Sequence, residues 1–276
     1  LTHANLRKAE LDAIAFTQGP GLLGALLVAS AFAKGLSLSL NIPLIGVNHL
    51  HAHLLSHFIK SPQPNFPFLV LLISGGHTQL FKVNDFLEYE IIGKTIDDAA
   101  GEAMDKAAKI LDLPYPGGPY IDQHAKNGDP NAFDFPLPKL KGLNFSFSGL
   151  KTALLYFIRD RLKANENFIQ ENMPDICAAY QNTIVQYLLK QLKRASEQTG
   201  IQEIGIAGGV AANSKLRDGL SKMANQNNWN VYIPDFQYCT DNAGMIGLAA
   251  YHKYQAGLIS DLEAVSFTRG AEIMDV

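Results

Sequence analysis

The chain has 276 residues, which is enough for one large domain or two small ones. Hydrophobic residues make up 47% of the chain and charged residues only 18%, so much of it is expected to lie in a core. The net charge of −3 excludes a polycation, although a local basic patch can still bind nucleic acid. The two cysteines, Cys177 and Cys239, are far apart, which favours reduced thiols and a cytoplasmic location.

The pattern of apolar residues in the first sixty residues predicts alternating strands and helices. Strands are predicted at 12–17 and 42–47, with an apolar helix between them. Residues 13–33 carry no charge and are long enough to span a bilayer, but Pro20 between two glycines interrupts them. We therefore expect a strand followed by a buried helix, and no membrane span. The β-α-β-α order predicts a parallel sheet.

The order of elements changes after a proline-rich linker at 61–67. Three consecutive strands are predicted, with the turn SGGH as a tight hairpin. The strands lie at 68–74, 77–83 and 88–95; they are followed by a helix at 97–113, a loop at 114–120, helices at 148–163 and 175–198, a strand at 201–208, a helix at 211–226, a strand at 229–234 and an apolar helix at about 241–255. Hairpin-linked strands followed by alternating helices and strands form one architectural unit.

Four of the eight histidines lie in the segment NHLHAHLLSH, at 48–57. His49 and His53 are four residues apart, on one face of a helix, which is the spacing of the metal-binding H-E-x-x-H motif. Leu50 stands where that motif has its general-base glutamate, which argues against a peptidase. Core or surface histidines are the alternative. His57 extends the same helical face by another turn, whereas His51 points elsewhere, and a metal shell would need an oxygen ligand from another segment.

Two glycine turns are candidate anion sites. In ISGGHT (73–78) the backbone N–H groups can approach an anion, although an ordinary hairpin is the simpler interpretation. In GIAGGVAAN (205–213) a strand ends in two glycines before a helix, which favours a phosphate or a ribose there. A tight strand–helix turn explains the second pattern equally well.

Charged residues give further candidates. Asp97 and Asp98 are expected in the first turn of a helix, where the helix dipole favours them, whereas Asp105 lies further along and lacks that explanation. Asp241 is expected at the N-cap of the last helix, and it could also be an oxygen ligand. Six basic residues are expected to form a solvent-exposed face, and contact with a nucleic-acid backbone is the alternative. They are Lys139, Lys141, Lys151, Arg159, Arg161 and Lys163.

Seven segments, taken in order, resemble the bacterial TsaD family, formerly called the Gcp or O-sialoglycoprotein endopeptidase family. They are GPGLLGALLVA, NHLHAHLLS, LLISGGHTQL, IDDAAGEAMDKAAKILDLPYPGG, FSFSGLKTAL, AGGVAANSKLR and CTDNAGMI, between about residues 12 and 256. The resemblance implies an α/β chain with the actin-like/Hsp70-like ATPase (ASKHA) fold of two ribonuclease H-like units. Residues 1–66 would be the remainder of the first unit, with a helix at about 241–256 packing back on it. Residues 67–240 would be the second unit, with a helical insertion at about 115–198.

The resemblance also implies a reaction and its components. A threonylcarbamoyl group would move from threonylcarbamoyl-AMP to the exocyclic amine of adenosine 37 in ANN-reading tRNAs, with release of AMP. TsaB-like and TsaE-like proteins would be partners in the cytoplasm. His49, His53 and Asp241 match the family's ligands for one divalent metal ion, iron(II) being favoured over zinc. The positions that match the family's nucleotide contacts are Leu72, Ile73, Ser74, Gly75, Gly76, Asp105, Gly118, Asp122 and Asn213.

Other functions are compatible with parts of the sequence. A metal-dependent glycoprotein endopeptidase, an ATPase or sugar kinase of the same fold, and a non-catalytic scaffold are the alternatives. No residue is assigned as a catalytic base. The family's opening strand hairpin, with its ETSCD-type motif, has no counterpart here. We therefore expect the first unit to be incomplete at its N-terminus and the natural protein to have further residues there.

Overall fold

The structure is a computed structural model, and it describes residues 5–138 and 140–268. Lys139, one of the six basic residues, lies outside the described residues. The chain divides into two compact units. The first consists of Leu1–Ser61, Asn84–Glu88 and Asp241–Val276, and the second of Pro62–Val83 and Tyr89–Thr240.

The first unit is built on two parallel strands. Its elements are β1 (Ile14–Gly19), α1 (Leu23–Leu40), β2 (Leu44–Asn48), α2 (His49–Leu55) and α9 (Ala243–Gln255). Ile14 of β1 lies opposite Leu44 of β2 in parallel register, which confirms the predicted parallel pairing. Apolar side chains of β2, α2 and α9 form one core: Ile45, Val47, Ala52, Leu55, Met245, Ala249 and Ala250.

Helix α1 differs from the prediction of a buried helix. Only one narrow stripe is buried, formed by Leu26, Ser30, Ala33 and Ser37. Large apolar side chains elsewhere on it are exposed, including Phe32 at 72%. The prediction is wrong because, within the described residues, a sheet of two strands covers only one face of the helix. By length and composition alone α1 could also cross a membrane, which is weak evidence that it does.

The second unit contains a five-stranded sheet in the order β5-β4-β3-β6-β7. The strands are β3 (Phe68–Ile73), β4 (Thr78–Val83), β5 (Tyr89–Lys94), β6 (Glu203–Ala207) and β7 (Asn230–Tyr232). β3, β4 and β5 pair antiparallel, whereas β6 is parallel to β3 and β7 to β6. The predicted hairpin-linked strands and the later strand-helix-strand segment are therefore confirmed. All six residues of β3 are buried, so it is the central strand of this sheet.

Helices pack around this sheet. They are α3 (Ala100–Ile110), α4 (Gly117–Ala125), α5 (Ser148–Leu162), α6 (Phe168–Thr199), α7 (Ser214–Asn227) and the short α8 (Phe236–Cys239). The first four residues of α4 lie in the segment predicted as a loop, and the rest of the helix was not predicted. α6 begins seven residues before the predicted 175 and continues through Pro174, because Phe168 packs against Phe133 and Phe157 and stabilises the extra turns.

The start of α3 corrects the interpretation of Asp97 and Asp98. The helix begins at Ala100, so neither carboxylate lies in its first turn. Asp97 instead accepts hydrogen bonds from the hydroxyls of Ser146 (2.5 Å) and Ser148 (2.9 Å) and from the backbone N–H of Phe147 (2.7 Å). Burial alone would raise the pKa of Asp97, but these hydrogen bonds outweigh it and hold the pKa below its ordinary value. Asp97 therefore anchors the beginning of α5.

Candidate metal centre and nucleotide site

The first residues of α2 carry two of the predicted ligands. Asn48 caps the helix, because its side-chain oxygen accepts hydrogen bonds from the backbone N–H groups of Leu50 (2.9 Å) and His51 (3.2 Å). His49 is the first helical residue, and His53 follows one turn later on the same face. Their ring centroids are 4.7 Å apart, with the rings nearly perpendicular.

Asp241 lies immediately before the cap of α9. The cap is Asn242, whose side-chain oxygen accepts a hydrogen bond from the N–H of Met245 at 2.9 Å, so the prediction of Asp241 as the cap is wrong. Asp and Asn are equally good N-caps, so the sequence alone does not show which of these two adjacent residues caps the helix. Oδ1 of Asp241 lies 3.1 Å from Nε2 of His49 and 3.4 Å from Nε2 of His53. These two imidazoles hold the pKa of Asp241 well below its ordinary range.

The three side chains fit a single metal ion. Their donor atoms all lie within 4.8 Å of one another. Two ligands that are each about 2.1 Å from one ion lie roughly 3.0–3.4 Å apart at octahedral or tetrahedral angles. Both Nε2–Oδ1 distances, 3.1 and 3.4 Å, fall in that range. Nδ1 of the buried His53 has no hydrogen-bond partner among the described residues, so the polar contact of this ring is on its Nε2 side.

The structure keeps the other two histidines of the segment away from this cluster. Nε2 of His51 lies 2.7 Å from the carbonyl oxygen of Phe86, and burial lowers the pKa of His51 to about 4. The ring is therefore neutral near pH 7 and donates its Nε2–H to that carbonyl. His57 donates from Nδ1 to the carbonyl oxygen of Leu54 at 2.9 Å.

The turn after β3 contains the predicted glycines of the nucleotide site. Oγ of Ser74 accepts hydrogen bonds from the N–H groups of Gly76 (3.3 Å) and His77 (3.0 Å) and fixes the turn, while Gly75 and Gly76 are exposed. The side chains of Leu72 and Ile73 are fully buried, so a ligand at this edge would contact the turn. Since β3 and β6 are parallel, the glycines that follow β6 lie at the same edge of the sheet.

Asp105 lies near this turn and contacts the start of the helix that carries Gly118. Oδ1 of Asp105 accepts a hydrogen bond from the N–H of Gly117 at 2.7 Å, which fixes the start of α4, where Gly118 is the second residue. Gly75 and Asp105 line one cavity of about 510 Å³. Sequence reasoning missed Lys109 and Tyr115 in this lining. Lys109 follows Asp105 by four residues, and that spacing could have identified it.

Asp122 and Asn213 meet at the beginning of α7. Oδ1 of Asp122 accepts a hydrogen bond from the hydroxyl of Ser214 at 2.8 Å. Asn213 caps α7 by accepting from the N–H of Leu216 at 3.0 Å, and its amide donates to Gln181 at 3.0 Å. These two hydrogen bonds are enough to explain why the polar side chain of Asn213 is buried. α4 connects the two groups of predicted residues, because it carries both Gly118 and Asp122.

The described basic residues do not form a site of their own. Lys141, Lys151, Arg159, Arg161 and Lys163 are exposed. Asp160 pairs with Arg159 at 3.6 Å and with Lys163 at 2.8 Å. A solvated face therefore remains the simpler interpretation.

The chain is similar to known proteins over most of its length. The family profile TsaD, described as tRNA N6-adenosine threonylcarbamoyltransferase, matches residues 1–248. The chain belongs to the TsaD family. A relative from Christiangramia forsetii is 54% identical over 272 residues, covering 98% of this chain and 80% of the relative. A relative from Porphyromonas gingivalis is 50% identical over 274 residues, covering 98% and 80%. Both TsaD relatives are named tRNA N6-adenosine threonylcarbamoyltransferase.

Solved structures of HypF resemble this TsaD chain in fold. The crystal structure of T. kodakarensis HypF has a TM-score of 0.65 at 15% identity and covers 93% of this chain. Full-length HypF in a phosphate- and nucleotide-bound form has a TM-score of 0.60 at 16% identity and covers 83%. The chain spans only 42% and 38% of those two HypF chains. At such low identity the likeness shows the mixed α/β fold alone.

Proposed function

We propose that this chain is a tRNA N6-adenosine threonylcarbamoyltransferase. It transfers the threonylcarbamoyl group from threonylcarbamoyl-AMP to N6 of adenosine 37 in ANN-reading tRNAs and releases AMP. The observation that carries the proposal is the identity of about half with relatives of that name over nearly the whole chain. The convergence of His49, His53 and Asp241 supports it from the structure.

The nucleotide part of the donor binds in the second unit in this proposal. Backbone N–H groups of the exposed turn at Gly75 and Gly76 bind phosphate oxygens, because glycine lets an anion approach the backbone closely. Asp105 and Asp122 face ribose hydroxyls or the threonyl part, since a carboxylate beside a phosphate would repel it. Asn213 contributes by fixing the start of α7, as its cap geometry supports. Leu72 and Ile73 contribute by positioning the turn.

The metal ligands in this proposal are His49, His53 and Asp241. Two imidazole nitrogens and one carboxylate oxygen suit iron(II), which the family resemblance favours, or zinc. When bound, such an ion supplies Lewis acidity. The residues themselves hold the donor set in place: Asn48 fixes the start of α2, and Asn242 fixes the chain beside Asp241.

The reaction needs no covalent enzyme intermediate. N6 of adenosine attacks the carbonyl carbon of the mixed anhydride, a C–N bond forms, the C–O bond to phosphate breaks, and AMP leaves with the electron pair. The amine loses one proton, which passes to solvent water. Since the anhydride is already activated, the protein contributes by holding the donor and aligning the amine.

The fold and setting that accompany this function are also proposals. The strand order of the second unit, three antiparallel strands followed by two parallel ones, supports a ribonuclease H-like unit in an actin-like (ASKHA) protein. TsaB-like and TsaE-like partner proteins follow from the family resemblance. Two buried, unpaired cysteines and a tRNA substrate favour the cytoplasm.

The endopeptidase and ATPase alternatives are not favoured. Leu50, which replaces the general-base glutamate of zinc peptidases, is buried at 6% exposure, so no side chain there can activate water. The relatives at about 50% identity carry the transferase name.

The test is a transfer assay. The protein, loaded with iron(II) and combined with its partner proteins, receives threonylcarbamoyl-AMP labelled in threonine and a tRNA with adenosine at position 37. We expect label in the tRNA and one AMP released per group transferred. The matched control is the same tRNA with guanosine at position 37, which offers no N6 amine. The proposal fails if the adenosine tRNA gains no more label than the guanosine tRNA.

A further inference from the structure

Phe236, the first residue of α8, belongs neither to the metal ligands nor to the residues predicted to contact the nucleotide. Its side chain is 66% exposed. Single exposed apolar residues are common and usually need no explanation. The group beneath this ring is a cation, since the guanidinium carbon of Arg217 lies 4.2 Å from the ring centroid.

Arg217 is held rigidly by polar contacts. Its Nε donates to the carbonyl oxygen of Ala211 at 2.8 Å, and its Nη2 donates to the carbonyl oxygen of Pro234 at 2.7 Å. Nη2 also lies 3.1 Å from Sγ of Cys239. A guanidinium fixed in this way is a preorganised support for one face of the Phe236 ring. The ring is therefore ordered on one side and open to solvent on the other.

The location of this ring indicates what it could bind. Ala211 belongs to the short turn Gly209–Ala212 that follows β6, and Asn213 comes directly after it. Arg217 thus ties Phe236 to the turn after β6, which lies at the same edge of the sheet as the Gly75–Gly76 turn where the phosphate is proposed to bind. A flat apolar face backed by a cation is a stacking surface for a nucleobase, as in proteins that stack bases on aromatic side chains.

We propose that Phe236 stacks on an adenine base. The inference rests on the proposed function, because that function brings two adenines to the protein: the adenine of the donor nucleotide and adenosine 37 of the tRNA. Both present the same π-face, so the chemistry of recognition is shared. The two sources differ in size and can be supplied separately.

The experiment compares Phe236→Leu with a matched control, Tyr156→Leu. Tyr156 is 51% exposed and lies under the guanidinium of Arg159 at 4.7 Å, so it has the same ring–cation arrangement on α5, a helix that carries none of the residues predicted to contact the nucleotide. AMP affinity is measured by calorimetry. KM for tRNA and kcat are measured in the transfer assay at saturating donor. Thermal unfolding shows that each variant is folded.

If Phe236 stacks on the donor, Phe236→Leu weakens AMP binding by roughly tenfold and Tyr156→Leu does not. If it stacks on the acceptor, AMP binding is unchanged, while KM for tRNA rises by a similar factor with kcat preserved. A folded Phe236→Leu protein with wild-type AMP affinity and wild-type KM overturns the inference. That result would leave the proposed function intact, because the function is judged by transfer in the wild-type protein. A wild-type protein that transfers nothing would count against the function, and the AMP arm would still decide whether Phe236 stacks on the nucleotide.

Discussion

Oδ1 of Asp241 lies 3.1 Å from Nε2 of His49, although the two residues are far apart in the sequence. The contact is a consequence of packing in the first unit. Ala52 and Leu55 of α2 share a core with Met245 and Ala249 of α9, so the beginning of α9 lies beside the beginning of α2. A histidine pair with helical spacing therefore gains its oxygen ligand from a distant helix start.

Removal of a ligand should remove the metal. We expect His49→Ala and Asp241→Ala to weaken iron(II) or zinc binding by at least about tenfold. Loss of a residue that only hydrogen-bonds to a metal ligand already lowers metal affinity by about that factor. The control is His57→Gln, since His57 lies in the same segment but donates to Leu54. Metal content is measured after anaerobic reconstitution and dialysis. Unchanged metal content in His49→Ala would disprove the assignment.

The cap of α9 should affect stability separately from ligation. Asn242→Ala removes the side-chain acceptor for the N–H of Met245 and should reduce the free energy of unfolding by about 1 kcal/mol. Asn242→Ser keeps a capping oxygen and should lose much less. Chemical denaturation of metal-free protein measures both. Equal losses in the two variants would show that capping is not the role of Asn242.

The sequence predicted most elements because their signals are local. The strand-like and helix-like spacing of apolar residues, together with the glycine turns, predicted the strands β1 to β7 and most of the helices. Helix α4 was missed because PYPGGPY contains mostly turn-forming residues. Its start is fixed by Asp105, which binds the N–H of Gly117 from another helix. A contact of that kind is tertiary and leaves no periodic pattern.

The candidate site was predictable in its residue types but not in its geometry. The spacing of His49 and His53 indicated that the two side chains could bind one metal ion. The approach of Asp241 to them depends on how α9 packs. Asp97 was predicted to interact with the dipole of α3, but it accepts hydrogen bonds from Ser146 and Ser148 at the start of α5. No sequence signal links Asp97 to that distant segment. The exposed face of α1 depends on how much sheet covers it, which no local pattern reveals.

Two helical glycines should respond in opposite ways to the same substitution. A Cβ on Gly101 of α3 would lie 2.5 Å from the carbonyl oxygen of Ser74, whereas one on Gly35 of α1 would meet nothing within 4 Å. Gly101→Ala should therefore destabilise the protein by about 1–3 kcal/mol and weaken AMP binding by displacing the turn. Gly35→Ala should stabilise by up to about 1 kcal/mol. Thermal unfolding and calorimetry test the pair, and a Gly101→Ala protein as stable as wild type would contradict this packing.

Asp97 should make stability depend on pH in the acid range. Its folded pKa is lowered below the ordinary value of 3.8 by hydrogen bonds from Ser146, Phe147 and Ser148, despite burial that opposes this. A carboxylate with a depressed folded pKa stabilises the fold above its unfolded pKa, and that contribution is lost as the pH falls through the folded pKa. Asp97→Asn should therefore lower the melting temperature most near pH 7, with the difference from wild type shrinking below about pH 4.

Melting curves between pH 7 and pH 3 test this expectation. The control is Asp218→Asn, which changes an exposed carboxylate on α7 and removes the same charge. Net charge alone would shift both variants alike, so the comparison isolates the hydrogen bonds at the start of α5. We expect the difference in melting temperature between wild type and Asp97→Asn to close as the pH falls, while the difference for Asp218→Asn stays small throughout. A gap for Asp97→Asn that is constant or widens as the pH falls would mean that the charged form of Asp97 does not hold this helix start.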